Sequence, residues 1–263
     1  MNKTENERDK GIFFIFDASS EGRVLLCGDG LPYNGGDYGD IVRENGSVLF
    51  TRAGQSEPDT WGSLTDGSPI PEGYRFVSRR DLAGLFGFDV FTRSGMAFQM
   101  MNLRINNKFC GKCGGEMRDN EAERARECPM CGRVAYPVLS PAVIVAVEKE
   151  GRLLMGHNVS FPKGRYSIIA GFASPGETLE QTAEREVLEE SGIKIKNIKY
   201  FGSQPWPFPS SMMLGFRAEW ESGEPSPDGE ELEDVRWFGK DELPDIPPNI
   251  SISRKLIDNW LRS

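Results

Sequence analysis

The sequence predicts an α+β protein in three parts: a small N-terminal α/β domain over residues 1–105, a metal-held cysteine ribbon over 106–136, and a C-terminal domain over 137–263 with a mixed β-sheet flanked by helices. Three observations predict it. Short β-like runs broken by Gly, Pro, Asn and Asp occupy the first part. Two CxxC pairs follow, and after Pro141 apolar strand-like runs alternate with turn signals around one well-bounded helix. The length of 263 residues agrees, because folded domains cluster near about 100 to 200 residues.

In the first part the runs IFFIF, VLLCG and SVLFT read as strands, and helical stretches follow near SRRDLAGLFG and FTRSGMAFQMMNLRINN. Phe98, Met101 and Ile105 recur at helical spacing, a stripe for packing rather than for a cofactor. Cys27 lies outside the cysteine cluster and reads as a small core residue of an early strand. After Pro141, PAVIVAV is a buried strand, Glu150 and Gly151 make a turn, and RLLMG returns as its hairpin partner. Further strands fit YSIIAGF, KIKNIKYFG, MMLGFRAEW and DVRWF, with helices at 179–191 and ISRKLIDNWL. No internal repeat or low-complexity tract interrupts this order.

Hydrophobic residues at 38% and charged residues at 27% are a globular composition. No run approaches the ~18 apolar residues of a membrane span, and MNKTENERDK is too charged for a signal peptide, so the expected location is the cytoplasm, with no membrane partner. The net charge of -9 opposes long contact with a phosphate backbone and leaves open the recognition of one terminal group.

Cys110 and Cys113 form one CxxC pair and Cys128 and Cys131 another, with 14 residues between them. Two residues between ligands let one tight turn aim both thiolates at a single ion, and two such turns complete a tetrahedron suited to structural Zn²⁺. All four positions are then protein ligands, so the ion holds a segment too short to bury a core. Paired redox disulfides are the alternative.

Residues 171–193 place Gly171, Glu177, Arg185, Glu186, Glu189, Glu190, Gly192 and Ile193 in the pattern of a glycine, five residues, Glu, seven residues, then REUxEExGU with U apolar. Thr178 followed by Gln181 is close to a capping box, and Gly192 is the expected left-handed stop. Leu179, Ala183 and Val187 form the core stripe, while Glu186, Glu189 and Glu190 crowd an adjoining face. Like charges at this spacing repel. Mg²⁺ or Mn²⁺, held by carboxylates together with substrate phosphates, accounts for them, whereas a solvated acidic face would interleave Lys or Arg.

The pattern resembles the Nudix box, and the resemblance implies a C-terminal Nudix fold and metal-dependent pyrophosphate hydrolysis. It implies that Glu186 and Glu190 are the main metal ligands, joined by the backbone of Ala170. Glu189 is then a further ligand or the base, and Arg185 pairs with Glu177 to fix the loop. On the family's spacing, Glu231 within GEELEDVRW is the later carboxylate; a merely acidic exposed loop is the alternative.

The segment Gln204, Pro205, Trp206, Pro207, Phe208, Pro209, Ser210 and Ser211, preceded by Ser203, resembles the SQPWPFPxS signature of NADH pyrophosphatases within the Nudix superfamily. Its prolines restrict the backbone, and its rings suit stacking on flat bases unless the segment is only a structural corner. By the same resemblance Tyr136 and Phe172 are candidates to stack on a base, Tyr136 alternatively capping the ribbon, and Arg80, Glu123 and Ser253 are further binding positions. His157, the one histidine, matches no motif and reads as non-catalytic. The resemblance covers Phe109 to the C-terminus. It implies a homodimer that hydrolyses NAD(H) to NMN(H) and AMP, and an activity on NAD-capped RNA 5′ ends, where the basic stretch Lys108 to Arg133 meets the next nucleotide. Two alternatives stand beside it: a general Nudix hydrolase of ADP-ribose or dinucleoside polyphosphates, and a non-catalytic zinc-ribbon module that binds nucleic acid.

Overall fold

The structure, a computed structural model, describes residues 11–17, 22–32, 42–44, 59–64, 70, 72–120 and 122–263. The expected strand SVLFT lies outside them. The chain divides into two compact units, the first being Met1–Val138 with Pro207–Pro209 and the second Leu139–Trp206 with Ser210–Ser263.

In the first unit, strands β1 (Phe13–Phe16), β2 (Val24–Cys27), β3 (Val42–Glu44), β4 (Thr60–Leu64) and β5 (Tyr74–Val77) form a sheet in the order β3-β4-β1-β2-β5. Strand alternation sorts the run FFIF: Phe14 and Phe16 enter the main core with Val24, Leu26 and Trp61, while Phe13 and Ile15 face a smaller cluster with Leu25. Helices α1 (Leu82–Phe86) and α2 (Phe88–Asn106) follow. Ala97, Phe98 and Met101 of α2 pack into the main core, with the rings of Phe16 and Phe98 5.5 Å apart, edge to face. Removing such a ring costs about 3–5 kcal/mol. The expected stripe ends at Met101, since Ile105 in the last turn is half exposed. Cys27 is also exposed, because it terminates β2 rather than standing within it.

Three short strands, β6 (Arg118–Asn120), β7 (Ala125–Glu127) and β8 (Val134–Ala135), make an antiparallel ribbon. Its small core contains Cys110, Met117 and Cys128.

The second unit holds β9 (Ser140–Lys149), β10 (Arg152–Asn158), β11 (Ile169–Phe172), β12 (Lys194–Trp206), β13 (Ser211–Ser222) and β14 (Leu232–Phe238), ordered β12-β13-β9-β10-β14, with β11 also on β9. The β9–β13 pairing is parallel and the others antiparallel, a mixed sheet. Glu150 and Gly151 both take positive φ, 49° and 78°, as a tight hairpin between β9 and β10 requires. Central strand β9 is apolar on both faces. Val143, Val145 and Val147 pack with Ala183 and Val187 of helix α3 (Leu179–Ser191), and Ile144 and Ala146 with Ile252, Leu256 and Trp260 of helix α4 (Ile252–Arg262). The two helices therefore cover opposite faces. Among the described residues no helix is long and apolar enough to cross a membrane.

Candidate active site and zinc centre

Each cysteine pair sits in a knuckle of the same design. Cys110 N–H donates to the Gly115 carbonyl and Gly114 N–H to the Cys110 carbonyl, both at 2.8 Å; Cys128 and Gly132 repeat this with Arg133. Gly114 and Gly132 take φ of 75° and 70°, the left-handed turn that bends each knuckle. The four sulfur atoms all lie within 4.8 Å of one another, with Cys110–Cys131 at 3.6 Å and Cys113–Cys128 at 3.5 Å. Tetrahedral zinc with Zn–S near 2.3 Å has sulfur–sulfur edges of about 3.8 Å, so the set fits that ion and no disulfide. The backbone N–H of Lys112, followed by that of Cys113, lowers the Cys110 thiol, while against the backbone N–H of Gly115 the neighbouring thiols of Cys128 and Cys131 raise Cys113.

The carboxylate helix α3 is bounded as its sequence dictates. Thr178 Oγ1 accepts the Gln181 N–H, the Gln181 side chain accepts the Thr178 N–H, and Gly192 closes the helix at φ 71°. Arg185 organises the approach to it. Its Nε and Nη2 donate to the two oxygens of Glu177 at 2.6 and 2.9 Å, Nη1 to Glu186 at 2.8 Å and Glu189 at 3.0 Å, and Nη2 also to the Phe172 carbonyl. Arg185, then the Ser174 N–H, holds the Glu177 carboxyl down at about 2, while the Arg185 guanidinium is shifted upward, first by Glu177.

Glu190 has no such partner. It is 6% exposed, and its Oε1 accepts no hydrogen bond among the described residues. Burial first, then the charges of Glu231, Glu186, Asp228 and Glu189, push its carboxyl up to about 8. Burial also raises the Glu186 carboxyl, against the pull of Arg185. A buried, unpartnered carboxylate facing other carboxylates is a poor site for a proton-free protein and a good one for a hard dication. Gly171 makes room beside it: a Cβ there would lie 1.9 Å from Glu186 Cδ. The carboxylates remain more open than the cysteines, which among the described residues are the one set with all ligand atoms within 4.8 Å.

Glu231 is exposed and reaches this cluster through its field on Glu190 and Glu186. Asp228, not singled out in the sequence, folds the loop that carries it. Its carboxylate accepts the N–H groups of Glu230, Glu231 and Leu232 at 3.2, 3.1 and 2.9 Å, and these hold it below the usual carboxylate range, Leu232 most strongly. The signal was the Asp-Gly pair of PDGEEL, a common turn opener.

The proline-rich segment is less open than its sequence suggests. Ser203–Trp206 continues β12, with Gln204, Pro205 and Trp206 opposite Met213, Met212 and Ser211. Gln204 is buried and donates to the Ile250 carbonyl at 2.7 Å. Pro205 and Pro209 are exposed, Trp206 and Ser210 half-buried, Ser211 buried. The Ser210 carbonyl accepts the Ser140 N–H, and the Phe208–Pro209 peptide is cis. In the first unit Pro207 and Phe208 meet Arg79, a second residue missed in the sequence because an arginine beside Arg80 gives no sign of burial. Arg80 also lies over the Phe208 ring, at 4.0 Å.

Tyr136 is exposed and donates to Glu123 at 3.0 Å, which brings two expected positions together and raises the phenol. Phe172 is exposed at the end of β11, and Ala170 stands two residues before it opposite Ile144. Ser253 is buried on the α4 side of the sheet, bonded to Ser167 at 2.9 Å, and is not brought to the carboxylates of α3. His157 contacts the Arg165 carbonyl at 2.6 Å and stands 3.6 Å from Glu233, a structural setting.

Comparison with known proteins matches a NUDIX domain over residues 138–260 and an NADH pyrophosphatase zinc ribbon domain over residues 105–136. The chain is 39% identical over 260 residues to the NAD-capped RNA hydrolase NudC of Vibrio cholerae, covering 99% of this chain and 94% of that one. It is 40% identical to the enzyme of that name from Deinococcus radiodurans, covering 95% and 87%. Among solved structures, a NUDIX hydrolase from Nitrosomonas europaea superposes with a TM-score of 0.50 at 29% identity, covering 59% of this chain and 90% of that one.

Proposed function

The chain belongs to the zinc-ribbon Nudix hydrolases, and from that premise we propose that it cleaves the pyrophosphate of NAD(H) with water to give NMN(H) and AMP, and removes NAD caps from RNA to leave NMN and a 5′-monophosphate end. The observation that carries the chemistry is the buried, unpartnered carboxylate of Glu190 among Glu186, Glu189 and Glu231. The substrate assignment rests on the full-length likeness to NAD-capped RNA hydrolases and on the segment Ser203–Ser211.

Glu186, Glu190, Glu231 and the carbonyl of Ala170 are the groups we assign to the divalent ion, Mg²⁺ or Mn²⁺. Such an ion, when bound, neutralises bridging phosphates and lowers the pKa of a coordinated water. Arg185 keeps Glu186 and Glu189 oriented through one guanidinium nitrogen while its other contacts tie Glu177 to the helix. Glu189, 60% exposed, is the carboxylate we assign to take the proton of the attacking water or to serve as a further ligand. Phe172 and Tyr136 are assigned to the bases, and Trp206 with its serine neighbours to the nicotinamide dinucleotide; Arg80, Glu123 and Ser253 are further binding positions by the same family likeness. The zinc thiolates stabilise the ribbon and suit a reducing compartment, so we assign the protein to the cytoplasm; from the family likeness we infer a homodimer, each chain of which divides into domains at residues 105 and 136.

Product analysis tests the reading: NADH, NAD, ADP-ribose and NAD-capped RNA are compared in Mg²⁺ and in Mn²⁺. Cleavage of NADH to NMNH and AMP, and of capped RNA to NMN and monophosphate RNA, is expected. Preference for ADP-ribose would return the protein to a general Nudix hydrolase, and binding of RNA without cleavage would make it a non-catalytic module.

A further inference from the structure

Arg79 is 2% exposed. Its Nε donates to the Gly22 carbonyl at 3.1 Å and its Nη1 to the Pro207 carbonyl at 2.8 Å, a partner 128 positions away in sequence. The guanidinium also lies over the rings of Phe98 at 3.8 Å and Phe208 at 4.7 Å. Pro207 is seated from a second direction, since a Cβ on Gly95 would fall 2.3 Å from its Cγ. Phe208 is further held by Arg80 and by Phe91, the latter with ring centroids 5.9 Å apart. An apolar side chain of similar volume would fill the space with less desolvation cost. What arginine adds is a planar fork that fixes the direction of a carbonyl while its face packs on aromatic rings.

We propose that Arg79 is a positioning residue of NAD recognition: it fixes the Pro207–Phe208 turn, the part of the segment Ser203–Ser211 that lies in its own compact unit. The inference rests on the substrate reading above, which takes that segment as the mark of the nicotinamide dinucleotide. Arg79 touches no reacting atom, so its removal acts on selectivity and leaves hydrolysis of other diphosphates in place.

The test uses the full-length zinc-loaded protein in Mg²⁺, with kcat/KM for NADH and for ADP-ribose measured on wild type, Arg79→Lys and Gly95→Ala. Lysine cannot hold two carbonyls and two rings at once, and alanine at position 95 displaces Pro207 while suiting the helix. For both variants kcat/KM for NADH is expected to fall at least about tenfold, through KM, with less than about threefold change for ADP-ribose. Parallel losses on both substrates, or wild-type selectivity in a folded variant, overturn the proposal. Should Arg79→Lys fail to fold, Gly95→Ala decides on the same terms, and failure of both to fold reduces Arg79 to packing. A wild type that cleaves ADP-ribose as well as NADH overturns the substrate reading itself, and the assignment of Arg79 with it.

Discussion

Glu186 fills the space that a side chain at residue 171 would need: a Cβ on Gly171 would stand 1.9 Å from its Cδ and 2.1 Å from its Oε2. Gly171 lacks the left-handed φ that excludes other residues, so the conflict is one of volume and falls on the movable end of Glu186. Gly171→Ala is therefore expected to fold and to melt near wild type while kcat/KM drops at least about tenfold, or ~1.4 kcal/mol of transition-state stabilisation. Partial recovery at high Mg²⁺ should accompany it. An unchanged rate would separate Glu186 from ion binding.

Glu190 predicts a pH dependence whose sign follows from its raised carboxyl. The folded state holds this proton more tightly than the unfolded chain, so the associated stability is fully present below about pH 4.5 and is lost as the pH rises through about 8. Without added Mg²⁺ or Mn²⁺, wild type should lose more melting temperature between pH 5.5 and 8.5 than Glu190→Gln, whose amide does not titrate. Added Mg²⁺ should raise the wild-type midpoint at the higher pH and leave the variant nearly unchanged. Turnover of the variant should fall at least about a hundredfold. Equal pH slopes in the two proteins would sink the assignment.

Much of the second unit was legible because local signals and tertiary demands agree there. The cap at Thr178, the stop at Gly192, the stripe Ala183 and Val187 and the doubly apolar strand β9 all name the elements they form. The spacing of the carboxylates was equally plain, since three glutamates at i, i+3 and i+4 cannot benefit one another. What sequence could not supply was burial across long separations. Nothing beside Arg79 announces Pro207, and nothing in the sequence around Gln204 or Ser253 tells that each is buried. Asp228 carried a local signal, the Asp-Gly pair, but its three backbone partners only appear once the loop is folded.

The cysteine ribbon predicts one tightly held zinc per chain, distinct from the exchangeable ion of α3, because its short strands enclose only a small core without it. Elemental analysis should return one zinc after Mg²⁺ has been dialysed away, and Cys128→Ser, at a fully buried ligand, should lose both the metal and the cooperative melting of the ribbon. A zinc-free protein that still melts cooperatively would falsify the structural role.

Trp206 and Phe208 look equivalent in sequence, yet their surroundings assign them different losses. Phe208 is packed among Arg79, Arg80 and Phe91, so Phe208→Ala is expected to lower the melting temperature as well as kcat/KM for NADH. Trp206 ends β12 opposite Ser211 and is half-buried. If it serves the nicotinamide dinucleotide, Trp206→Ala should lose about 1–3 kcal/mol in kcat/KM for NADH, the range of base stacking, and less for ADP-ribose, with hydrolysis and melting temperature retained. Parallel kinetics on NADH, NAD-capped RNA and ADP-ribose decide it. Equal losses at unchanged stability would move Trp206 into general catalysis or assembly, and a lost melting transition would make it packing, so the ratio of the three specificities is the quantity to measure.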